Sequence, residues 1–97
     1  MIHELKIAPQ WFEEIKSGKK TFEIRQSDKP FEEGDYLLLR EWEDETYSYT
    51  GRELTRKITY VYKGDGSYGL AKGFYFLGFI NDHMVIRQKT WTRGVDF

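Results

Sequence analysis

Gly18-Lys19-Lys20-Thr21-Phe22-Glu23-Ile24-Arg25 places two lysines, a carboxylate and an arginine where a helix gives way to a strand. The glycine is a helix stop. From Thr21 the residues alternate with period two, which sends Phe22 and Ile24 to one side and Thr21, Glu23 and Arg25 to the other. Glu23 and Arg25 therefore share a face, about 7 Å apart along the strand. If that face lines a cleft, it offers a carboxylate acceptor beside a guanidinium fork, able to read a nucleobase edge and hold a phosphate. On a convex surface the same residues form an ordinary exposed ion pair, worth about 0–1 kcal/mol.

Upstream, Ile2 to Ile7 is a short strand-like run. Pro9 stands where a helix accepts proline, in its first turn. Trp11, Phe12 and Ile15 fall on one helical face, and packing of that face must hold so short a helix. Downstream, Ser27-Asp28-Lys29-Pro30 breaks the strand, and Phe31-Glu32-Glu33-Gly34-Asp35 turns into a new one from Tyr36 to Trp42. Tyr36-Leu37-Leu38-Leu39 is apolar on both parities, which predicts a strand covered on both faces. An acidic, tyrosine-rich loop runs from Glu43 to Gly51. Leu54 to Tyr62 is a further strand, with Leu54, Ile58, Tyr60 and Tyr62 on one parity. Residues 63–73 hold four of the nine glycines and form a loop before a strand from Phe74 to Ile80. Asn81-Asp82 then turns the chain, and Met84 to Thr92 returns as an antiparallel partner. About six strands and one short N-terminal helix predict an α+β chain, a small mixed β-barrel, with residues 1–97 as a single domain.

Composition narrows the function classes. Aromatic residues make up 18% of the 97, too much for a disordered tail. The chain has no cysteine, which removes disulfides, thiolate nucleophiles and zinc–thiolate sites. No apolar run approaches the ~20 residues of a membrane span, and the first residues lack the pattern of a secretory leader. The expected location is the cytoplasm. The net charge of −1 is unevenly placed: residues 31–53 carry −6 and the rest +5. That separation allows a basic face, as a phosphate backbone requires.

Other motifs carry less. Gly64-Asp65-Gly66-Ser67-Tyr68-Gly69 matches G-x-G-x-x-G, but a dinucleotide fingerprint needs a helix to open at the glycines, and here a strand follows. His3 and His83 are the only histidines and lack ligand spacing, so no metal and no cofactor is expected. His3, on the first strand, is a candidate to bond a base or a backbone group. No serine lies in a nucleophile-elbow pattern.

The run GKKTFEIR resembles the signature segment of the ASCH superfamily, which follows a short helix and has the form G-x-K-T-x-E-x-R. The likeness extends through His3 to Ile7, the helix from Trp11 to Gly18, Phe31 to Glu41, Thr50 to Glu53, and Gly69-Leu70 with Gly73-Phe74. Together these look like an uncharacterised ASCH-like subfamily of bacteria and phages, over about residues 2 to 80. ASCH domains are small β-barrels similar to the RNA-binding PUA domain.

The resemblance implies RNA or a nucleotide, such as a modified nucleoside, as partner. Lys20, Thr21, Glu23 and Arg25 occupy the motif positions. By role, Lys19, Lys20 and Arg25 neutralise phosphate, Glu23 accepts a hydrogen bond from a base amino group, and Trp42 or a tyrosine of the 47–49 loop stacks an unpaired base. Lys6, Lys29 and the tail bases Arg87, Lys89 and Arg93 extend the basic surface. The alternative is an amidohydrolase, since some ASCH proteins remove the acetyl group from acetylcytidine. Their site uses a lysine in this segment, a threonine three residues on, and a distant glutamate. Lys20 matches. Glu23 holds the threonine position, with Thr21 near it. No glutamate follows Glu53, and Asp65, Asp82 and Asp96 are the only later acids. Lys20 and Glu23 are the catalytic pair under this alternative. A third class is a protein-interaction or inhibitor domain of phage origin, using the acidic stretch Glu41 to Glu45 and the tyrosines beside it.

Overall fold

The computed structural model describes residues 1–80. Five strands and one helix are arranged as β1 (Ile2–Ile7), α1 (Pro9–Lys16), β2 (Phe22–Gln26), β3 (Tyr36–Glu43), β4 (Ser48–Lys63) and β5 (Phe74–Phe79). A single 3₁₀ turn, Ser67–Gly69, interrupts the loop before β5. The strands form one mixed sheet in the order β1-β3-β4-β5-β2, with β1 parallel to β3 and the remaining pairs antiparallel. The α+β class holds, but the expected barrel does not. β1 and β2 are the two edges of the sheet, and a side chain rather than a backbone ladder spans the gap between them. The expected sixth strand, Met84 to Thr92, lies outside the described residues. β5, its expected partner, is already paired on both sides by β4 and β2.

Alternation builds the core. Leu37 and Leu39 of β3, Ile58 of β4, and Tyr75, Leu77 and Phe79 of β5 point inward with Ile7 of β1. Phe12 and Ile15 of α1 and Phe31 cover them. Trp11 does not join that face; it stands half-exposed. β3 is covered on one face only: Leu37 and Leu39 are fully buried, whereas Tyr36 on the opposite parity is exposed. Pro9 opens α1, and Gly18 ends it at φ +86°, a conformation that favours glycine. Arg56, buried under the helix, donates to the Ile15 carbonyl at 3.2 Å and so satisfies a helix-end acceptor from the sheet.

β4 serves both halves of the sheet. Its first part pairs with β3 and its last part with β5, and the register slips between Ile58 and Tyr60. A bulge inserts one residue and reverses the facing of everything beyond it. Ile58 is therefore buried while Tyr60 is half exposed, although the sequence places both on one parity.

β2 is turned with its polar side toward the core. Glu23 lies opposite the buried Leu77, and Arg25 opposite the buried Tyr75, so the polar residues face inward. Ile24 faces outward and is 49% exposed.

A cationic clamp at the seam

Glu23 is 5% exposed, and each of its carboxylate oxygens accepts from a different cation. Lys20 Nζ donates to Oε1 at 2.6 Å, and Arg25 Nε donates to Oε2 at 3.0 Å. Arg25 also donates through Nη2 to the Lys6 carbonyl at 2.8 Å, which bridges edge strand β2 to edge strand β1. Lys20 is held from three directions. Its backbone N–H donates to the Glu14 carbonyl of α1 at 2.9 Å, and its ammonium stands 4.9 Å from the centre of the Trp11 ring and 5.2 Å from that of Phe22. A buried carboxylate is costly unless paired on all sides, and this pairing fixes both cations in place.

The clamp carries one negative and two positive charges. The Lys20 and Arg25 side chains remain 16% and 25% exposed. An ammonium has three donors and a guanidinium five, so both keep donors beyond those given to Glu23 and Lys6. A clamp of this kind can receive an anion without first ordering its own side chains.

The other expected residues distribute unevenly. Lys19 is exposed one residue from Lys20. Thr21 is exposed, and its carbonyl accepts from the Phe79 N–H at 2.9 Å. Lys6 shares the seam through its carbonyl, while its ammonium lies 3.9 Å from the centre of the Trp42 ring. Trp42 therefore has Lys6 on one face, and its indole N–H donates to Asp44 at 3.0 Å. Tyr47 and Tyr49 meet it edge-on. His3 does not join the clamp. It bonds Asp35 at 2.8 Å and packs against Phe31 at the far end of β1 from Lys6. Lys29 borders a separate depression with Met1, Pro30, Glu32 and Asp35. The tail bases Arg87, Lys89 and Arg93 lie outside the described residues. Of the later acids, Asp65 is held by the Ser67 N–H at 2.9 Å and the Tyr62 hydroxyl at 3.3 Å; Asp82 and Asp96 lie outside the described residues.

A second ion cluster escaped the sequence reading. Glu41, at the head of the acidic loop, is buried and accepts from the Thr50 hydroxyl at 2.6 Å and from Arg52 at 2.9 and 3.0 Å. Arg52 also pairs with Glu13 of α1 and lies over the Phe12 ring at 4.5 Å. Arg52 and then Thr50 hold the Glu41 carboxyl below its usual range, against the upward push of burial. The cluster ties the helix to the sheet. The inward parity of Leu37 and Leu39, continued two residues, is the signal that predicts its burial.

Residues 2–79 match a family described as a domain of unknown function, DUF3850. The chain belongs to this family. Its match ends with β5 and takes in the whole clamp. The DUF3850 chain is also 40% identical, over 60 residues, to an uncharacterised 12.9 kDa protein in the GpA 3′ region of Escherichia phage P2. That similarity covers 62% of this chain and 53% of the phage protein, so it spans about half the length of the curated relative. A phage relative agrees with the phage and bacterial setting expected from the sequence. Among the described residues, no helix is long and apolar enough to cross a membrane, and no cluster of three or more acids or histidines is placed to hold a metal ion.

Proposed function

We propose that this domain is an RNA- or nucleotide-binding module of the ASCH-like, PUA-like kind, with the Lys20–Glu23–Arg25 clamp as its phosphate-binding centre. The observation that carries this reading is the convergence of two motif side chains, Lys20 and Arg25, on the buried Glu23 carboxylate at the seam between the sheet's edges. Lys20 and Arg25 supply charge-assisted donors to phosphate oxygens. Lys19 adds positive charge beside them. Glu23 sets the position of both cations. Because both its oxygens are engaged, its role in this reading is to organise the cations rather than to read a base edge.

The test is fluorescence anisotropy of a labelled single-stranded RNA against salt concentration. Phosphate contacts make affinity fall steeply with salt. Lys19→Ala, on an exposed side chain, lowers the salt slope by about 1 without touching the clamp's packing. Lys20→Ala lowers both slope and affinity. Unchanged affinity and slope in both variants would reject the clamp as the phosphate site.

Hydrolysis of a modified nucleoside is the second reading, favoured by the 2.6 Å contact between Lys20 and Glu23. A general base must stand within such reach of the proton it takes. Against it, Arg25 holds the second Glu23 oxygen, and Glu23 is the only carboxylate bonded to Lys20 among the described residues. Release of cytidine from acetylcytidine, followed by chromatography and abolished by Lys20→Ala, would favour this reading over simple binding.

A further inference from the structure

We propose that an aromatic groove on the outer face of β2, β5 and β4 is a stacking site for the unpaired bases of a single strand of nucleic acid, continuous with the Lys20 clamp. This rests on the phosphate-binding reading and adds to it where the bases go and that they must be unpaired.

The groove follows from two features of the fold. The β4 bulge turns Tyr60 and Tyr62 outward, and the turned β2 brings Phe22 and Ile24 to the same face. Gly78 lies between Phe22 and Tyr60 in the register, and its missing side chain leaves room for the Phe76 ring, whose Cε1 is 3.6 Å from where a β-carbon would stand. Among the described residues the cavity is lined by Ile24, Tyr60, Tyr62, Tyr68, Leu70 and Phe76, with a volume of about 380 Å³. That falls at the small end of ligand-sized pockets. Tyr68 is 93% exposed on a backbone at φ +54°, an unfavourable conformation for a non-glycine residue and an unfavourable place for an aromatic ring.

Charge and continuity select the occupant. The Lys20 ammonium stands 5.2 Å from the Phe22 ring, and Phe22 stacks on Phe76 with centroids 5.3 Å apart and 13° between planes. Phe76 is a wall of the groove, so cation and groove share one run of contacts. Lys20 therefore stands at the Phe22 end of an aromatic trough. Successive bases stack on such rings while the backbone follows the positive charge. A protein partner favours lysine-poor surroundings.

The experiment uses the full chain, with labelled ten-nucleotide strands of uridine and of thymidine and a duplex of matching length. Tyr60→Ala and Tyr68→Ala truncate exposed rings, and a melting curve confirms that both variants fold. Each should weaken single-strand binding about 5- to 150-fold with the salt slope unchanged, and a 2-aminopurine base in the strand should lose its quenching. Lys20→Ala should instead lower the salt slope. The duplex should bind more weakly than either strand. Equal binding of the ribo and deoxy strands supports stacking alone; stronger ribo binding adds the 2′-hydroxyl. If Lys20→Ala weakens binding while both tyrosine variants match wild type, the groove proposal falls and the clamp reading stands. If no strand binds, both fall. If the tyrosine variants split a wild-type dimer in light scattering and leave strand affinity untouched, the groove belongs to a second copy and the proposal is overturned.

Discussion

Arg25→Ala removes two bonds that no other residue duplicates: the one to the Glu23 carboxylate and the one to the Lys6 carbonyl that joins the sheet's two edges. A hydrogen bond to or from a charged group is worth about 1.5–3 kcal/mol net, and breaking a fully buried ion pair costs about 3–5 kcal/mol. The Arg25 side chain is a quarter exposed, so water recovers part of this, and Lys20 still holds one Glu23 oxygen. The expected loss is about 2–4 kcal/mol, a large share of the ~5–15 kcal/mol that stabilises a typical domain. At about 4–8 °C per kcal/mol for a chain of this size, the melting temperature should fall by about 8–32 °C. Arg25→Lys keeps a charge near Glu23 but cannot reach both acceptors with a fork, so its loss should be smaller. Urea unfolding followed by far-ultraviolet circular dichroism measures both, with the m-value checked for a change in the unfolded state. An Arg25→Ala chain within about 0.5 kcal/mol of wild type, the range of an ordinary surface substitution, would refute the idea that this side chain holds the seam.

The remaining expectations concern the rest of the framework. The Glu41 carboxyl is held below its ordinary value of 4.5, first by Arg52. A depressed carboxylate contributes stability above the unfolded-state value that is lost as pH falls through the folded one. The Arg52→Ala chain should therefore be less stable than wild type at pH 7, and that gap should narrow by pH 3; a gap constant with pH would remove the pairing as its cause. A β-carbon at Gly64 would run into the Ala71 carbonyl oxygen, so Gly64→Ala should cost about 1–3 kcal/mol of overpacking. One at Gly78 meets only ordinary contact, 3.4 Å from Tyr60 Cβ, so Gly78→Ala should melt much closer to wild type. Thermal melts of the two glycine variants side by side decide this, and equal losses would contradict it.

Much of the fold was legible because local chemistry and global packing agree. Pro9 and Gly18 bracket the helix, and the runs from Tyr36 and Phe74 each become strands. What the local pattern leaves open or misplaces falls where a pairing decision made elsewhere in the chain decides. Alternation in Phe22-Glu23-Ile24-Arg25 establishes two faces but does not say which is inside. Hydrophobicity favours Ile24, and the ion pairing of Glu23 with Lys20 and Arg25 wins instead. Tyr60 and Ile58 share a parity in sequence, and only the register against β5 reveals the bulge that separates them. His3 and Trp42 were reasonable ligand candidates by residue type. Asp35 and Lys6 engage them, from positions 32 and 36 residues away along the sequence in turn for His3 with Asp35 and Trp42 with Lys6.

The turned β2 accounts for both proposed surfaces. Had Glu23 and Arg25 faced bulk water, their pairing would be screened over about 8 Å at physiological salt and would hold neither side chain still. Facing inward, Glu23 fixes two cations at a seam that stays open to solvent. The same inversion expels Ile24 and leaves Phe22 stacked on Phe76 outside, where the bulge in β4 has already sent two tyrosines. A chain with β2 in the opposite phase would bury Ile24 and lose the clamp and one wall of the groove together. The two surfaces should therefore stand or fall jointly in any relative that alters the parity of this strand, even though single substitutions at Lys20 and at Tyr68 separate them.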